Sequence, residues 1–135
     1  MHPQLELEFT AIPEGVTSAR AAITTLCHAL DLEDDVVDRV KIAVNEACIN
    51  CVQHAYAVDA HRGTTYMLEA RIDVDALVVV VHDYGIGMLA DTPSASAGLG
   101  MGLRLMEQLA DRVSITSNPG RGTRVIMRFA LPSPA

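Results

Sequence analysis

The sequence predicts an α+β fold: a two-layer sandwich in which a mostly antiparallel, mixed sheet carries its helices on one face. Segments 5–9 and 66–73 alternate apolar and polar residues with the period of a strand. Two stretches with helical spacing lie between them, and the continuous apolar run at 77–81 is typical of a central strand. The resulting order, β-α-α-β-β-loop-α-β-β, places the helices against one sheet.

The first helix follows closely on the first strand. Every second residue over 5–9 is apolar, so this strand is expected to bury one face. A proline and a glycine within 13–15 interrupt the alternation. Thr17 or Ser18 then offers a hydroxyl to cap a helix that extends to Leu30.

The second helix, over 33–56, begins with acidic residues that suit the positive end of its dipole. Its apolar positions recur at helical spacing: Val36, Val40, Ala43, Val44, Ala47 and Cys51. After it we predict strands over 66–73 and 77–81, a loop over 85–98, a helix over 100–111, and strands over 113–117 and 123–131. The segment Asn118-Pro-Gly120 suits a type II turn between the last two strands.

Length and composition limit the classes of protein that the chain can represent. Its 135 residues suit one domain, residues 1–135, with 132–135 expected to fray. The net charge of -7 argues against direct binding to nucleic acid, where a basic face is expected. No apolar run approaches the roughly 18 residues of a membrane span. Three cysteines without a recognisable secretory signal predict reduced thiols in the cytoplasm.

Three polar residues recur at every fourth position of the second helix. Glu46, Asn50 and His54 therefore form one stripe at the border of its apolar face. Mg²⁺ prefers oxygen ligands and keeps several waters, so the Asn50 carbonyl and phosphate oxygens together form a suitable ligand set. A carboxylate one turn away can orient a water or accept a hydroxyl proton. The same spacing also fits ordinary polar residues at the edge of a helix.

Asp83 stands where the apolar strand ends. A carboxylate in this position can accept a hydrogen bond from an exocyclic amine, such as the adenine N6 group. Gly85 and Gly87 allow the backbone to approach a planar base closely. The alternative is a simple turn, because Asp-x-Gly-x-Gly is common at strand ends.

Gly98, Gly100 and Gly102 precede and open the third predicted helix. Backbone N–H groups at the start of a helix favour phosphate. The spacing differs from the dinucleotide fingerprint and follows a loop, so a Rossmann site is a poor interpretation. Since no Gly-x4-Gly-Lys-Ser/Thr occurs, the sequence excludes a P-loop.

Cys48 and Cys51, together with His54, make a zinc site an alternative for this helix. Structural zinc generally needs four ligands. The remaining candidates show no paired spacing: Cys27, His28, His2 and His61. Cysteines three residues apart in a helix are more often small core residues, so we expect Cys48 and Cys51 in the core.

Taken together, these motifs resemble the ATP-binding domain of the GHKL superfamily, over about residues 5–131. Glu46-Ala-x-x-Asn50-x-x-x-His54 matches its N box, Asp83-x-Gly-x-Gly87 its G1 box and Gly100-x-Gly102 its G2 box. Gly122-Thr123 matches in position the Gly-Thr pair that precedes the final strand in this superfamily. The resemblance implies bound ATP and Mg²⁺. It also implies a nucleotide site built from Asn50, His54, Asp83, Gly85, Gly87, Gly98, Gly100, Gly102 and Thr123.

Within that superfamily the chain most resembles the bacterial anti-sigma-factor serine kinases of the RsbW and SpoIIAB type. Its small size, Leu7-Glu-Phe-Thr-Ala11 and Met106-Glu-Gln-Leu-Ala-Asp111 carry this likeness. The resemblance implies that Glu46 is the general base, that Asn50 is the Mg²⁺ ligand and that Arg20 lies on a partner-binding surface. Such proteins bind a sigma factor, phosphorylate a serine or threonine of a small STAS-domain antagonist, and are commonly homodimers.

Two other functions remain open from the sequence. Between the G1 and G2 boxes, where this group carries its ATP lid, only residues 88–97 are available, without a basic residue. A lid that closes over a triphosphate normally offers Lys or Arg, so a nucleotide-gated binding switch without catalysis is the first alternative. The second is the catalytic domain of a two-component histidine kinase. That function needs a dimerisation helix and a phospho-acceptor histidine on a separate chain.

Overall fold

A five-stranded sheet forms one layer of the protein. The computed structural model describes residues 4–58, 65–84, 102–118 and 122–132, with the backbone alone at 54–58 and at 118. The elements in chain order are β1 (Leu5–Thr10), α1 (Pro13–Ala29), α2 (Asp34–Val58), β2 (Thr65–Asp73), β3 (Ala76–Asp83), α3 (102–109), β4 (Arg112–Asn118) and β5 (Gly122–Ala130).

The strands lie in the order β1-β2-β3-β5-β4. Thr10 at the end of β1 pairs with Thr65 at the start of β2, so the two intervening helices return the chain to the end of the sheet that it left. All four pairings of the described strands are antiparallel. The predicted α+β class is therefore confirmed, and the sheet is more uniformly antiparallel than the sequence suggests.

The hydrophobic core lies between the helices and one face of the sheet. Alternate residues of each strand point to this face, because successive side chains of a strand point to opposite sides. In register across the five strands, two rows are entirely apolar: Leu5, Ala70, Val79, Met127 and Val113, then Leu7, Leu68, Val81, Val125 and Ile115. The apolar face predicted for α2 meets these rows, with Val40, Val44 and Ala47 almost completely buried.

The next row on the same face becomes polar. It runs from Phe9 through Tyr66, Asp83 and Thr123 to Ser117. The last four residues, from Tyr66 to Ser117, are called the polar row below. Because side chains of this row point to the same face as the apolar rows, they lie towards the helices at one end of the core.

The predicted start of the first helix at Thr17 or Ser18 is wrong. The helix begins at Pro13, after Ile12, and no side chain caps it. Proline is favoured in the first turn because its missing N–H would have no partner there. The Thr17 hydroxyl instead donates to the Pro13 carbonyl within the helix, at 3.4 Å. Gly15 is required at this corner, since an added Cβ would lie 1.9 Å from the Thr10 carbonyl oxygen.

The third helix, predicted over 100–111, ends two residues earlier than predicted, and its predicted start at residue 100 lies outside the described residues. Helical structure ends at residue 109. Asp111, just before β4, is already bonded to β5. Its N–H donates to the Arg128 carbonyl at 2.8 Å, and its carboxylate accepts from the Ala130 N–H at 2.7 Å. These bonds turn the chain directly from α3 into β4.

The predicted tight turn at 74–75 joins β2 to β3, with Asp73 paired to Ala76. Val74 occupies it with a positive φ of 56°, and its side chain is 90% exposed. The predicted loop at 85–98 and the turn residues 119 and 120 lie outside the described residues. None of the helices in the described ranges is long and apolar enough to cross a membrane.

Candidate active site

Two residues of the predicted stripe on α2 lie side by side at the edge of the core. Asn50 is 7% exposed, whereas Glu46 is half-buried. The neighbouring residues Ala47, Cys48 and Cys51 are buried in the core, so the helix cannot rotate the stripe away. His54 belongs to the same helix, but its side chain lies outside the described residues.

The start of α3 packs directly onto this pair. A Cβ added at Gly102, the first described residue of α3, would lie 3.3 Å from Asn50 Nδ2 and 3.5 Å from Glu46 Oε2. Glycine therefore leaves a small space between the two polar side chains and the helix start. The sequence predicts the start of this helix within residues 100–102, and the N–H groups at a helix start favour an anion.

Asn50 carries the polar group that most needs a ligand. Among the side chains that the structure describes, two buried polar atoms have no hydrogen-bond partner, Asn50 Nδ2 and the Tyr66 hydroxyl. Leaving such an atom unpaired costs about 1–3 kcal/mol. A hydrated Mg²⁺ with phosphate oxygens fits this place, because the Asn50 carbonyl supplies an oxygen ligand and the surrounding waters can accept from the amide.

Asp83 lies at the end of β3 within the polar row and is 7% exposed. Its Oδ1 accepts a hydrogen bond from the Thr123 N–H at 3.3 Å, across the β3–β5 pairing. The Thr123 hydroxyl in turn lies 3.2 Å from the Ser117 hydroxyl. Asp83 thus shares its row with two hydroxyls, and these polar groups together can recognise the edge of a planar base.

Gly122 allows β5 to reach Asp83. Its φ is +95°, and an added Cβ would lie 2.0 Å from the Asp83 carbonyl oxygen. Only glycine adopts this backbone without strain. The Gly122-Thr123 pair therefore brings the Thr123 N–H within hydrogen-bond distance of Asp83.

Buried thiols connect the two parts of the site, which are the Glu46–Asn50 pair of α2 and the Asp83–Thr123 pair of the sheet. Burial, and next the charge of Asp83, raise the pKa of the Cys51 thiol well above its usual value. Cys51 thus lies in the field of Asp83 and follows Asn50 directly in α2. Burial likewise raises the pKa of Cys48 to about 12. As predicted, both cysteines are core residues.

Tyr66 is the other residue with an unsatisfied polar atom. Its ring is completely buried, and burial is the largest cause of a pKa raised above the usual value for tyrosine. The Cys48 thiol lies close enough to influence that pKa, although no group in the described part of the chain meets the geometry of a hydrogen bond to the hydroxyl. The hydroxyl belongs to the same row as Asp83.

Four glycines predicted to bind the nucleotide lie outside the described residues: Gly85, Gly87, Gly98 and Gly100. The described members of the predicted site are Glu46, Asn50, Asp83, Gly102 and Thr123, with the backbone of His54. The structure brings Glu46, Asn50 and Gly102 together, and pairs Asp83 with Thr123.

Arg20 lies apart from these residues, on the side of α1 that faces α2. Its Nη1 donates to Asn45 Oδ1 at 3.1 Å. Arg20 and Asn45, with Lys41 and Ile42, line a shallow cavity of about 320 Å³. We call these four residues the helix groove. It combines two cations with an isoleucine that is 44% exposed.

Reasoning from sequence missed Ser117, Tyr66 and the groove residues Lys41, Ile42 and Asn45. The predicted two-residue turn at 119 and 120 would pair Ser117 with Gly122, one residue away from its observed partner Thr123, so it could not identify Ser117. No sequence pattern pointed to the Tyr66 hydroxyl either, since a tyrosine in an alternating strand is an ordinary core residue. The groove depends on how α1 crosses α2, which no local pattern encodes.

An antiparallel sheet with helices on one face is the fold of a known class of ATPase domain. A family model for the histidine kinase-like ATPase domain matches residues 9–129. Because the match covers most of the chain, the protein belongs to the histidine kinase-like ATPase domain family, and the predicted GHKL membership is confirmed.

The similar proteins include an anti-sigma factor and a serine-protein kinase. The chain is 31% identical to the anti-sigma F factor of Clostridium acetobutylicum over 140 residues, which cover 95% of each protein. It is 35% identical to the serine-protein kinase RsbW of Bacillus velezensis over 131 residues, which cover 86% of this chain and 79% of that protein.

Two solved structures have the same fold. One contains the RsbU and RsbW domains of Rv1364c from Mycobacterium tuberculosis, with a TM-score of 0.75 at 21% identity, over 97% of this chain and 32% of that chain. The other is the SiaB-SiaC complex from Pseudomonas aeruginosa, with a TM-score of 0.76 at 11% identity, over 95% and 90% of the two chains. At these identities the likeness concerns the fold alone.

Proposed function

We propose that the protein is an anti-sigma factor that binds a sigma factor and uses Mg²⁺ and ATP to phosphorylate a serine or threonine of a STAS-domain antagonist. The observation that carries the proposal is the unsatisfied Asn50 amide, which lies with Glu46 against the start of α3. The similarity to an anti-sigma F factor and to a serine-protein kinase supports it.

Asn50 and Glu46 have separate roles in this proposal. Asn50 holds Mg²⁺ through its side-chain carbonyl, and Glu46 orients the attacking hydroxyl and accepts its proton. When bound, Mg²⁺ neutralises charge on the phosphate oxygens. Gly102 and the N–H groups that open α3 receive phosphate oxygens. Positioning and charge neutralisation supply most of the rate enhancement.

Asp83 and Thr123 recognise the adenine base of ATP. The Asp83 carboxylate accepts a hydrogen bond from the adenine amino group, and the bond from the Thr123 N–H keeps the carboxylate in place. Because the carboxylate is almost completely buried, it favours a base that presents a donor there. This arrangement selects adenine over a base with a carbonyl at that position.

The helix groove is the proposed partner-binding surface. Arg20 and Lys41 offer positive charge on a chain whose net charge is -7, so acidic side chains of a partner are the groups that this surface attracts. Ile42 adds an exposed apolar contact. We assign the sigma factor to this surface and propose that the protein acts as a homodimer.

One observation favours a second function. Residues 88–97 contain no lysine or arginine that could close over a triphosphate. A nucleotide-gated binding switch, which grips its partner without phosphorylating it, would need no such residue. Phosphate transfer to the partner separates the two functions.

The first test is calorimetric titration of the protein with ATP, with and without Mg²⁺, alongside Asp83→Asn. Asparagine keeps an oxygen for the Thr123 N–H but replaces one acceptor with an NH₂ donor. We expect metal-dependent binding by the wild type and a loss of about tenfold or more in the variant. Asp38→Asn makes the same chemical change at an exposed position of α2 and should bind like the wild type. Absence of ATP binding by the wild type would refute the proposal.

The second test separates binding from chemistry. Glu46→Ala should reduce transfer of labelled phosphate to a STAS-domain partner by roughly 10²–10⁴-fold, while ATP binding stays close to wild type. Equal loss of ATP binding in Glu46→Ala and Asp83→Asn would contradict the separate roles. A wild type that binds ATP but transfers no phosphate would establish the switch.

A further inference from the structure

The carboxyl end of α3 is held by an arginine of α2. Arg39 Nη1 donates to the Leu109 carbonyl at 3.1 Å and lies 3.9 Å from Asp111 Oδ2. Leu109 is the last helical residue, so its carbonyl has no partner within the helix. The guanidinium satisfies that carbonyl and places positive charge at the negative end of the α3 dipole.

The same arginine is fixed on its own helix. Arg39 Nε donates to Asp35 Oδ2 at 3.1 Å, one turn earlier in α2. The Arg39 side chain is 27% exposed, whereas that of Asp35 is 78% exposed. The contact with α3 is therefore the more protected of the two, and the ion pair with Asp35 is screened by solvent.

The described part of α3 thus contacts α2 at two places. Arg39 holds the carboxyl end, while Glu46 and Asn50 face Gly102, seven residues earlier in α3. The described part of α3, from Gly102 to Leu109, is about 12 Å long, and Met106 within it is completely buried. Because a helix is rigid over this length, a displacement at Leu109 is transmitted to Gly102.

We propose that Arg39 is a positioning residue for the nucleotide site. By holding the end of α3 against α2, it sets the space between Gly102 and Asn50 in which the metal and the phosphates bind. This inference rests on the proposed function, since it concerns the affinity of the same site for Mg²⁺ and ATP. Nothing in the motifs of the sequence singles out Arg39, which lies seven residues before Glu46.

The test compares Arg39→Ala with Asp35→Ala. Arg39→Ala removes all three contacts of the guanidinium, whereas Asp35→Ala removes only the ion pair within α2 and leaves the contacts with Leu109 and Asp111. We expect Arg39→Ala to weaken ATP binding in Mg²⁺ about tenfold, with a smaller loss when Mg²⁺ is omitted. Asp35→Ala should bind like the wild type, and Arg39→Lys should recover part of the affinity because its ammonium can still reach one acceptor.

A double-mutant cycle identifies the route of the effect. If Arg39 acts through the placement of Gly102 over Asn50, its removal should matter much less in an Asn50→Ala background. Hydrogen exchange of the α3 amides in the ATP-free protein is measured in parallel, and it should be faster in Arg39→Ala.

Three results overturn the inference in distinguishable ways. Wild-type affinity in Arg39→Ala, with faster exchange in α3, shows that Arg39 stabilises the helix without positioning the site. An equal loss of affinity in the wild-type and Asn50→Ala backgrounds shows that the effect does not pass through the metal ligand. No binding of Mg²⁺ and ATP by the wild type removes the proposed function itself.

Discussion

Gly102 controls how closely α3 can approach the site. An added Cβ would lie only 3.3 Å from Asn50 Nδ2, so the amide would have to move by a few tenths of an ångström. The helix itself tolerates the change, because alanine has a higher helix propensity than glycine. The glycine at this position therefore serves the site and not the stability of α3.

We predict that Gly102→Ala weakens ATP binding in Mg²⁺ about tenfold without lowering the melting temperature. The extra methyl group occupies the space where the metal and the phosphate oxygens bind. Calorimetry and thermal unfolding of the same sample measure the two effects. A variant with wild-type affinity would mean that this space plays no part in nucleotide binding.

Cys27 links the stability of the core to pH. Burial raises the pKa of its thiol from 9.0 to about 11. The unfolded chain loses this proton near pH 9, whereas the folded chain keeps it to about pH 11. The contribution of the thiol to stability is therefore complete below pH 9 and is lost as the pH rises through 11.

We predict that the free energy of unfolding falls between pH 9 and 11, with up to about 1.4 kcal/mol per pH unit coming from Cys27. Urea unfolding of the wild type and of Cys27→Ala at pH 8, 9, 10 and 11 tests this. The variant should start less stable, because alanine leaves a cavity, but lose less stability with pH. Parallel pH profiles for the two proteins would contradict the prediction.

The β2–β3 hairpin carries a strained residue in its turn. Val74 has a φ of 56°, a conformation that costs a residue with a Cβ about 1–2 kcal/mol. Its side chain is 90% exposed and contributes little burial in return. The pairing of Asp73 with Ala76 leaves only two residues to close the turn, so the strain cannot be spread over a longer loop.

We predict that Val74→Gly raises stability by about 0.5–1 kcal/mol, because glycine relieves the strain at some cost in entropy. Thermal and urea unfolding measure the change. Val74→Ala keeps a Cβ at the same φ and is the matched control, with a smaller effect expected. A less stable glycine variant would show that the turn is not strained in solution.

The start of α1 shows where a local signal is ambiguous. Pro13 and Gly15 were expected to end one element, yet they also begin the next. Proline ends a strand because it lacks an N–H, and the same property suits it to the first turn of a helix. Only the close approach of Gly15 to Thr10 decides between a loop and a helix here.

The helix groove and the nucleotide site involve different residues, so their functions should be separable. We predict that Arg20→Glu weakens binding of a sigma factor at least about tenfold and leaves ATP binding unchanged. Surface plasmon resonance against the sigma factor that binds the wild type best in a panel measures the first effect. Arg112→Glu reverses a charge at an exposed position of β4 and serves as control.

Equal loss of sigma binding in the two charge reversals would point to a long-range effect of net charge and not to the groove. Loss of ATP binding in Arg20→Glu would show that the two sites are coupled through α2. Neither outcome is expected, because Arg20 contacts Asn45, whereas the site begins at the next residue, Glu46, on another side of the helix.

Much of the fold was predictable because its signals are local. The alternation in β1 and β2, the apolar run of β3 and the spacing in α2 each arise from residues close together in the chain. The site was predictable in part, since Glu46 and Asn50 share a helix and Asp83 ends a strand. The pairing of Asp83 with Thr123 was less accessible, because it depends on the register of two strands forty residues apart.

Patterns along the chain were enough to predict the order of elements, the face that each one buries and the family to which the motifs belong. These properties depend on spacing along the chain, which a linear pattern preserves. The tertiary structure alone decided that Gly102 faces Asn50, that Arg39 holds the end of α3 and that Tyr66 joins the row of Asp83. Such contacts depend on how packed helices and paired strands bring distant segments together, and no short stretch of sequence contains that information.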